Sequence, residues 1–244
     1  MPLTTLRPKA LCPVNNRPLV DWALDRLAAH CCQTAVNIHH HRDQMVRHLE
    51  SRGVQLSVEV PQALGTAGAL GRLREWISGR PVLLTNADAW ELEGGLSLQR
   101  LLTGWDGRTP RLRCARASSG ADFGDLRYVG SALLPWWSIA ELQPDPGGLY
   151  EVTWQRLYEQ GKLDLVVLQG EVPIDCGTPA DYLAANLVAS GGRSVIGAGA
   201  VVEGELVRSV VWPGSRVAKG ERLVDAVRAQ DLTVHVPPST AREE

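Results

Sequence analysis

Three short segments carry the side chains best suited to chemistry. In Leu3-Thr4-Thr5-Leu6-Arg7-Pro8-Lys9-Ala10-Leu11-Cys12-Pro13-Val14 one lysine sits in a largely apolar, proline-bounded stretch, in a chain with 3 lysines and 22 arginines. The compact ammonium of Lys9 suits a phosphate as a point charge, and a surface lysine laying its stem over apolar neighbours gives the same pattern. The second segment, Leu64-Gly65-Thr66-Ala67-Gly68-Ala69-Leu70, is a small-residue loop opening into a helix. Its glycines and free N–H groups would let backbone approach a planar or anionic group, or would simply make a tight helix entry. The third is a pair: Asn86-Ala87-Asp88, and far downstream Asp175-Cys176-Gly177-Thr178-Pro179. Mg²⁺ takes one or two carboxylates plus phosphate oxygens and water, so two aspartates brought together from strand ends suit a metal–nucleotide site. Asp88 as the cap of a turn and Asp175 as a turn residue ahead of a helix are the plainer alternatives.

Strand ends and helix starts must hold these segments, and hydrophobic spacing supplies both. Val20, Leu24, Leu27 and Ala28 follow helical spacing, and Thr34-Ala35-Val36-Asn37-Ile38 reads as a short buried strand. A helix over residues 45–49, a strand over 55–60, a helix with the apolar stripe Leu70, Leu73 and Ile77, and a strand over 81–85 continue the alternation. That order implies an α/β fold with crossover connections and a mostly parallel sheet with helices on both faces. Past Asp106 the spacing predicts strands over 112–115, 126–134 and 163–168, and a helix over 151–159 with Val152, Leu157 and Tyr158 inward. A last helix over 179–187 has Thr178 at its N-cap and Pro179 in first position.

Ser190-Gly191-Gly192 reads as a linker, and beyond it small apolar residues recur at sixfold spacing: Val195, Val201 and Val207, then Val211, Val217 and Leu223. This is the rhythm of a hexapeptide β-helix or, alternatively, of a glycine-rich hairpin pair. So short an array would have to pack on the main domain or on another subunit. The expected division is a main domain over 1–189, repeats over 190–236 and a loose tail over 237–244.

Composition narrows the class further. Lys+Arg 25 against Asp+Glu 27 gives a net charge of −2, which excludes a strongly basic nucleic-acid binder. Hydrophobic residues at 44% and charged residues at 21% match a folded domain with a core. Without a membrane-length apolar run or an apolar N-terminal signal segment, the sequence reads as cytoplasmic, with no membrane partner. Five cysteines lacking a C-x-x-C pair indicate neither a disulfide framework nor a structural zinc site. His39-His40-His41 reads as a polar strand-to-helix turn, because adjacent strand residues point opposite ways. Cys31-Cys32 reads as a packing pair, and Trp136-Trp137 goes mainly to core packing.

Taken in order, residues 3–14, Asn16-Arg17-Pro18-Leu19, residues 64–70, Asn86-Ala87-Asp88, residues 175–182 and the hexapeptide rhythm resemble the sugar-1-phosphate nucleotidyltransferases, in particular bacterial mannose-1-phosphate guanylyltransferase-like proteins. The resemblance implies a Rossmann-like nucleotidyltransferase fold with a short C-terminal left-handed β-helix. It implies transfer of a nucleotidyl group from an NTP to a sugar 1-phosphate, giving an NDP-sugar and pyrophosphate, with GTP and mannose 1-phosphate leading. A uridylyl- or thymidylyltransferase for another sugar phosphate is the alternative within that class, and a non-catalytic NDP-sugar-binding or regulatory homologue the alternative outside it. By the same resemblance Lys9 contacts phosphates and is catalytic with Asp88, while Leu64, Gly65, Thr66 and Gly68, with Asn86, hold the nucleotide. Gly130 in Tyr128-Val129-Gly130-Ser131 falls on the sugar side, and Asp88 and Asp175 bind Mg²⁺. A homo- or hetero-oligomer formed through the β-helix is also implied. Attack of a sugar phosphate on the α-phosphorus requires in-line positioning and charge neutralisation, which a metal and a lysine supply without covalent catalysis.

Two departures from the family pattern stand out. Its members carry a first strand and a glycine-rich G-x-G-T-R-L-R-P-L-T loop, and this chain opens at Pro2-Leu3-Thr4, where that loop ends. The expectation is therefore a domain whose first strand and phosphate loop are missing, through a start placed too late or through loss of catalysis; retention of Lys9, Asp88 and Asp175 favours the former. Many relatives also have a Glu-Lys-Pro motif whose lysine holds the sugar phosphate; here residues 117–125 lack it, and Arg116 and Arg127 are the available substitutes.

Overall fold

The computed structural model describes residues 2–92, 96–170 and 172–237, so the expected tail lies, Pro237 apart, outside the described residues. The chain order begins with β1 (Pro13–Val14), β2 (Arg17–Pro18), α1 (Leu19–Ala28), β3 (Ala35–Ile38), α2 (Arg42–Leu49) and β4 (Gln55–Val58). It continues with α3 (Gly65–Ile77), β5 (Val82–Thr85), β6 (Ala89–Trp90), α4 (Leu96–Leu102), β7 (Arg111–Arg116) and β8 (Leu126–Leu134). Then come α5 (Gln155–Glu159), β9 (Asp164–Val167), β10 (Ile174–Asp175) and α6 (Pro179–Ala189). The C-terminal strands are β11 (Val195–Ile196), β12 (Val201–Val202), β13 (Glu205–Val207), β14 (Val210–Val211), β15 (Arg216–Val217), β16 (Arg222–Val224), β17 (Ala226–Ala229) and β18 (Leu232–His235). No helix of the described residues is long and apolar enough to cross a membrane.

The described residues fall into two compact units. One contains Leu24–Asn86 and the described residues from Leu96 to Val172. In it β3 and β4 pair in parallel, and a second sheet has the order β5-β8-β7-β9. The expectation of a mostly parallel sheet is corrected here, since β8 runs antiparallel to both β5 and β7 and only β7 and β9 are parallel. Connection length sets the β7–β8 direction: β7 returns into β8 through the short turn over residues 117–125, and a parallel pairing needs a crossover of a dozen or more residues. The helix predicted over 151–159 starts as a wide π turn over Tyr150–Trp154 before α5 begins. That turn shifts the helical phase, so Trp154 and Leu157 are buried while Val152 and Tyr158, expected inward, are exposed. The core joins Leu70 and Ile77 of α3 to Leu112, Cys114, Phe123, Leu134 and Trp154.

The other unit collects the described residues up to Ala23, Ala87–Leu92, and the described residues from Pro173 onward. Helix α6 starts as its sequence dictates, with Thr178 Oγ1 accepting the Asp181 N–H at 3.1 Å ahead of Pro179. Beyond α6 the strands stack in parallel in three sets, β11-β14-β17, β12-β15 and β13-β16, and β18 closes the first antiparallel to β17. The residues at sixfold spacing do not all share one face. Val201 pairs with Arg216 and is 51% exposed, whereas Val202 pairs with Val217 and Leu206 with Leu223, facing the cluster of Val211, Val217, Leu223 and Ala226. Alternation along a strand decides this, and a sixfold count through short strands and tight turns slips by one. Tyr182 of α6 ties the unit together: its hydroxyl donates to the Pro13 carbonyl and accepts from Trp212 Nε1 at 2.9 Å, all of it buried.

Candidate active site

Lys9 lies in a single 3-10 turn, Lys9–Leu11, set by Pro8 in extended conformation and closed by the Cys12 N–H on the Lys9 carbonyl. Leu11 and Cys12 are buried beside it, and Leu3, Cys12 and Val14 belong to the core that also holds Trp90, Cys176 and Tyr182. The turn is therefore anchored by its apolar residues and offers its lysine outward. Asp88 and Asp175 reach the same place through β6 and β10, which pair antiparallel with Asp175 opposite Ala89 and with the Cys176 N–H on the Asp88 carbonyl at 3.3 Å. The buried Trp90 and Cys176 fix that short ladder.

The three side chains converge. Lys9 Nζ lies 2.9 Å from Asp88 Oδ2 and 2.5 Å from Asp175 Oδ1, with side-chain exposures of 23% for Lys9, 38% for Asp88 and 76% for Asp175. Burial alone would lower the Lys9 pKa, but the hydrogen bonds and charges of Asp175 and Asp88 outweigh it and hold the ammonium above its ordinary value. The Cys176 thiol beneath is pushed by burial up to about 12 despite the nearby lysine, so it is a neutral packing group.

Two carboxylates with hard oxygen donors, partly open to solvent, fit a Mg²⁺ ion that takes its other ligands from phosphate and water. Among the described residues no group of three or more His, Cys, Asp or Glu side chains is placed to hold a metal ion.

The remaining sequence-predicted residues lie in the other unit. Asn86 and Gly130 meet: the Asn86 N–H bonds the Gly130 carbonyl at 2.9 Å, and a Cβ on Gly130 would fall 3.1 Å from Asn86 Nδ2. Gly130 has φ +78°, a second reason for glycine there. Arg26 donates to the Asn86 carbonyl at 3.2 Å.

The loop at the start of α3 leaves Gly65 and Thr66 exposed, while Leu64 and Gly68 are buried. Gly65, Gly68 and Gly71 form a side-chain-free stripe on which residues 143–147 of this chain lie. Added Cβ atoms would sit 2.6 Å from the Gly147 carbonyl oxygen, 2.2 Å from that of Asp145 and 2.3 Å from that of Gln143. Two backbone bonds fasten the segment, from Gly147 N–H to the Leu64 carbonyl at 2.9 Å and from Ala67 N–H to the Gly147 carbonyl at 3.0 Å.

Glu59 was missed by the sequence reading. It is 1% exposed, and its carboxylate accepts the Leu64 N–H at 2.9 Å and Asn37 Nδ2 at 3.1 Å, so it shapes the approach to the loop. The signal was an acid between two valines at the end of a strand predicted from its spacing. His39 donates through Nδ1 to the Glu59 carbonyl at 3.0 Å, and His41 adopts φ +48° at the start of α2.

Comparison with known proteins gives the family and the fold. Residues 4–198 match the MobA-like NTP transferase domain, and the chain belongs to that family of nucleotidyltransferases. The chain is 28% identical over 216 residues to an N-acetylmuramate alpha-1-phosphate uridylyltransferase of Caulobacter vibrioides, covering 75% of this chain and 89% of the relative. Its fold resembles a Thermus thermophilus structure named mannose-1-phosphate geranyltransferase, with a TM-score of 0.69 at 14% identity over 95% of this chain and 88% of the other. It also resembles a Bacillus anthracis structure assigned as a glucose-1-phosphate thymidylyltransferase and solved with sucrose, with a TM-score of 0.61 at 19% identity over 77% and 89% of the two chains.

Proposed function

We propose that this protein transfers a nucleotidyl group from an NTP to a sugar 1-phosphate and releases pyrophosphate. The observation that carries the reading is the convergence of Lys9 Nζ with Asp88 and Asp175 within 3 Å, in a chain of the NTP transferase family. Asp88 and Asp175 would hold Mg²⁺, which when bound neutralises charge on the nucleotide phosphates. Lys9 supplies a second positive charge that can turn to a phosphate oxygen on a flexible stem. The Leu64, Gly65, Thr66 and Gly68 loop receives the base, Asn86 lies on the nucleotide side and Gly130 on the sugar side.

The relative from Caulobacter vibrioides shifts the first choice of substrates from GTP and mannose 1-phosphate to UTP and N-acetylmuramate 1-phosphate. The parallel strand sets after α6 support reading the C-terminal residues as a short β-helix, the surface through which copies would assemble.

The test is pyrophosphate release with Mg²⁺, UTP or GTP and each sugar phosphate in turn. Asp88→Asn should lower turnover about 100-fold or more while circular dichroism stays unchanged. Undiminished turnover in that variant would remove Asp88 from the metal site.

A further inference from the structure

We propose that Lys9 is a resident cation of the Asp88–Asp175 pair, holding the two carboxylates together in the nucleotide-free protein, and that a divalent cation must displace its ammonium to enter. This rests on the reading of the two aspartates as metal ligands. The ammonium occupies the place a bridging cation would take, 2.9 Å from one carboxylate and 2.5 Å from the other. Like charges so close favour any cation that sits between them, and the ion pairs that the structure records for Asp88 and Asp175 are both with Lys9.

Of the three groups, Lys9 is the one able to leave. The carboxylates sit on backbone fixed by the β6–β10 pairing and by the buried Trp90 and Cys176. The lysine reaches them across a four-carbon stem with several rotatable bonds. Beside them Gly177 has no side chain, and a Cβ there would meet Asp175 Oδ1 at 3.4 Å and Lys9 Nζ at 3.5 Å. Lys9 and Asp175 are both partly open to solvent, the path by which the ammonium can leave.

A ligand that offers Lys9 another anionic partner, a polyphosphate above all, then frees the carboxylates for the metal. Metal and polyphosphate should therefore strengthen each other's binding, reciprocally, and the protein alone should hold a divalent cation weakly. The device couples metal loading to nucleotide arrival and keeps the carboxylate pair half neutralised in between.

The experiment measures Mn²⁺ binding by electron paramagnetic resonance and calorimetry on the full chain, with and without inorganic tripolyphosphate. Lys9→Met should bind Mn²⁺ about tenfold more tightly than the parent without polyphosphate and should lose the enhancement that polyphosphate gives the parent. Lys9→Arg, which keeps the charge, should stay within about threefold of the parent, and thermal melts confirm that each variant is folded. Equal or weaker Mn²⁺ binding by folded Lys9→Met overturns the proposal. Asp88→Asn separates the two ideas: if it weakens Mn²⁺ binding while Lys9→Met does not strengthen it, only the competition fails. If Asp88→Asn binds as the parent does, the metal assignment fails and the competition with it.

Discussion

Replacing Gly68 with alanine discriminates between two uses of the small-residue loop. If Gly68 is glycine because residues 143–147 of this chain lie against it, alanine damages the fold; if it is glycine to admit a nucleotide, alanine damages binding alone. The added Cβ would stand 2.2 Å from the Asp145 carbonyl oxygen and 2.9 Å from the Leu64 Cβ. That is about 1 Å or more inside ordinary contact, and backbone cannot rotate away as a side-chain tip can. Either α3 or the 143–147 segment must shift, and the fastenings at risk are the two hydrogen bonds between Gly147 and the Leu64–Ala67 turn. Overpacking costs about 1–3 kcal/mol and each lost bond about 1, while the better helix propensity of alanine returns about 1, so the net loss should be about 2–4 kcal/mol. Urea denaturation followed by tryptophan fluorescence reads this directly, since Trp76 and Trp154 pack in the same core. Gly71→Ala is the internal standard, because its Cβ would meet the Gln143 carbonyl oxygen at 2.3 Å. An unchanged midpoint for Gly68→Ala, with a lowered midpoint for Gly71→Ala and lost nucleotide affinity in the former, would refute the packing argument at position 68.

Tyr182→Phe should cost about 2–4 kcal/mol in the same assay, because it strands the buried Pro13 carbonyl and the Trp212 N–H together; a loss under about 0.5 kcal/mol would mean that water replaces the hydroxyl. At pH 8 a thiol reagent should label Cys31 and Cys32 only in the native protein and all five cysteines in denaturant, since Cys12, Cys114 and Cys176 are buried. Rapid native labelling of Cys176, read by mass spectrometry, would contradict its burial. Those three thiols are each pushed from 9.0 up to about 12, burial first among the causes. The folded state therefore keeps protons that the unfolded chain releases: this contribution to stability is whole below about pH 9 and falls as pH rises toward 12. Unfolding midpoints that rise between pH 9 and 11 would reverse the sign.

Among the described residues, local chemistry wrote five of the six helices and the strands β3, β4, β5, β7, β8 and β9 into the sequence, while β1, β2, β6, α4 and β10 went unread. Thr178 before Pro179 fixes the start of α6, and the stripe of Leu70 and Ile77 fixes the buried face of α3. Lys9, Asp88 and Asp175 were legible as a group only through motif order, because the pairing that joins them is a two-residue ladder with no local signature. Pairing direction was hidden where the connection is long: β5 lies antiparallel to β8, Val82 opposite Leu134 and Thr85 opposite Ser131, and no local signal sets that pair. The sixfold spacing does not decide which side faces inward: Val201 is exposed while Val202 packs in, because strand alternation rather than a fixed count chooses the side. Gly65 and Gly68 carried the subtlest ambiguity, since a glycine reserved for a ligand and one reserved for the chain's own backbone are written with the same letter.

The two groups of site residues owe their positions to different parts of the core, and this bears on what substitutions will do. Lys9, Asp88 and Asp175 stand on very short elements, a single 3-10 turn and two-residue strands, none of which is stable alone. Their rigidity comes from Leu3, Cys12, Val14, Trp90, Cys176, Tyr182 and Trp212, a core that also includes the stacked C-terminal strands at Val195, Val210 and Val227. The Leu64–Gly68 loop instead takes its shape from Glu59 below and the 143–147 segment across the glycines. A packing defect under the stacked strands should thus loosen the Asp88–Asp175 pair before it touches the Leu64–Gly68 loop, and a defect at the glycine stripe should do the reverse. The C-terminal strands, remote from Lys9, Asp88 and Asp175 in sequence, thereby brace all three through the shared core.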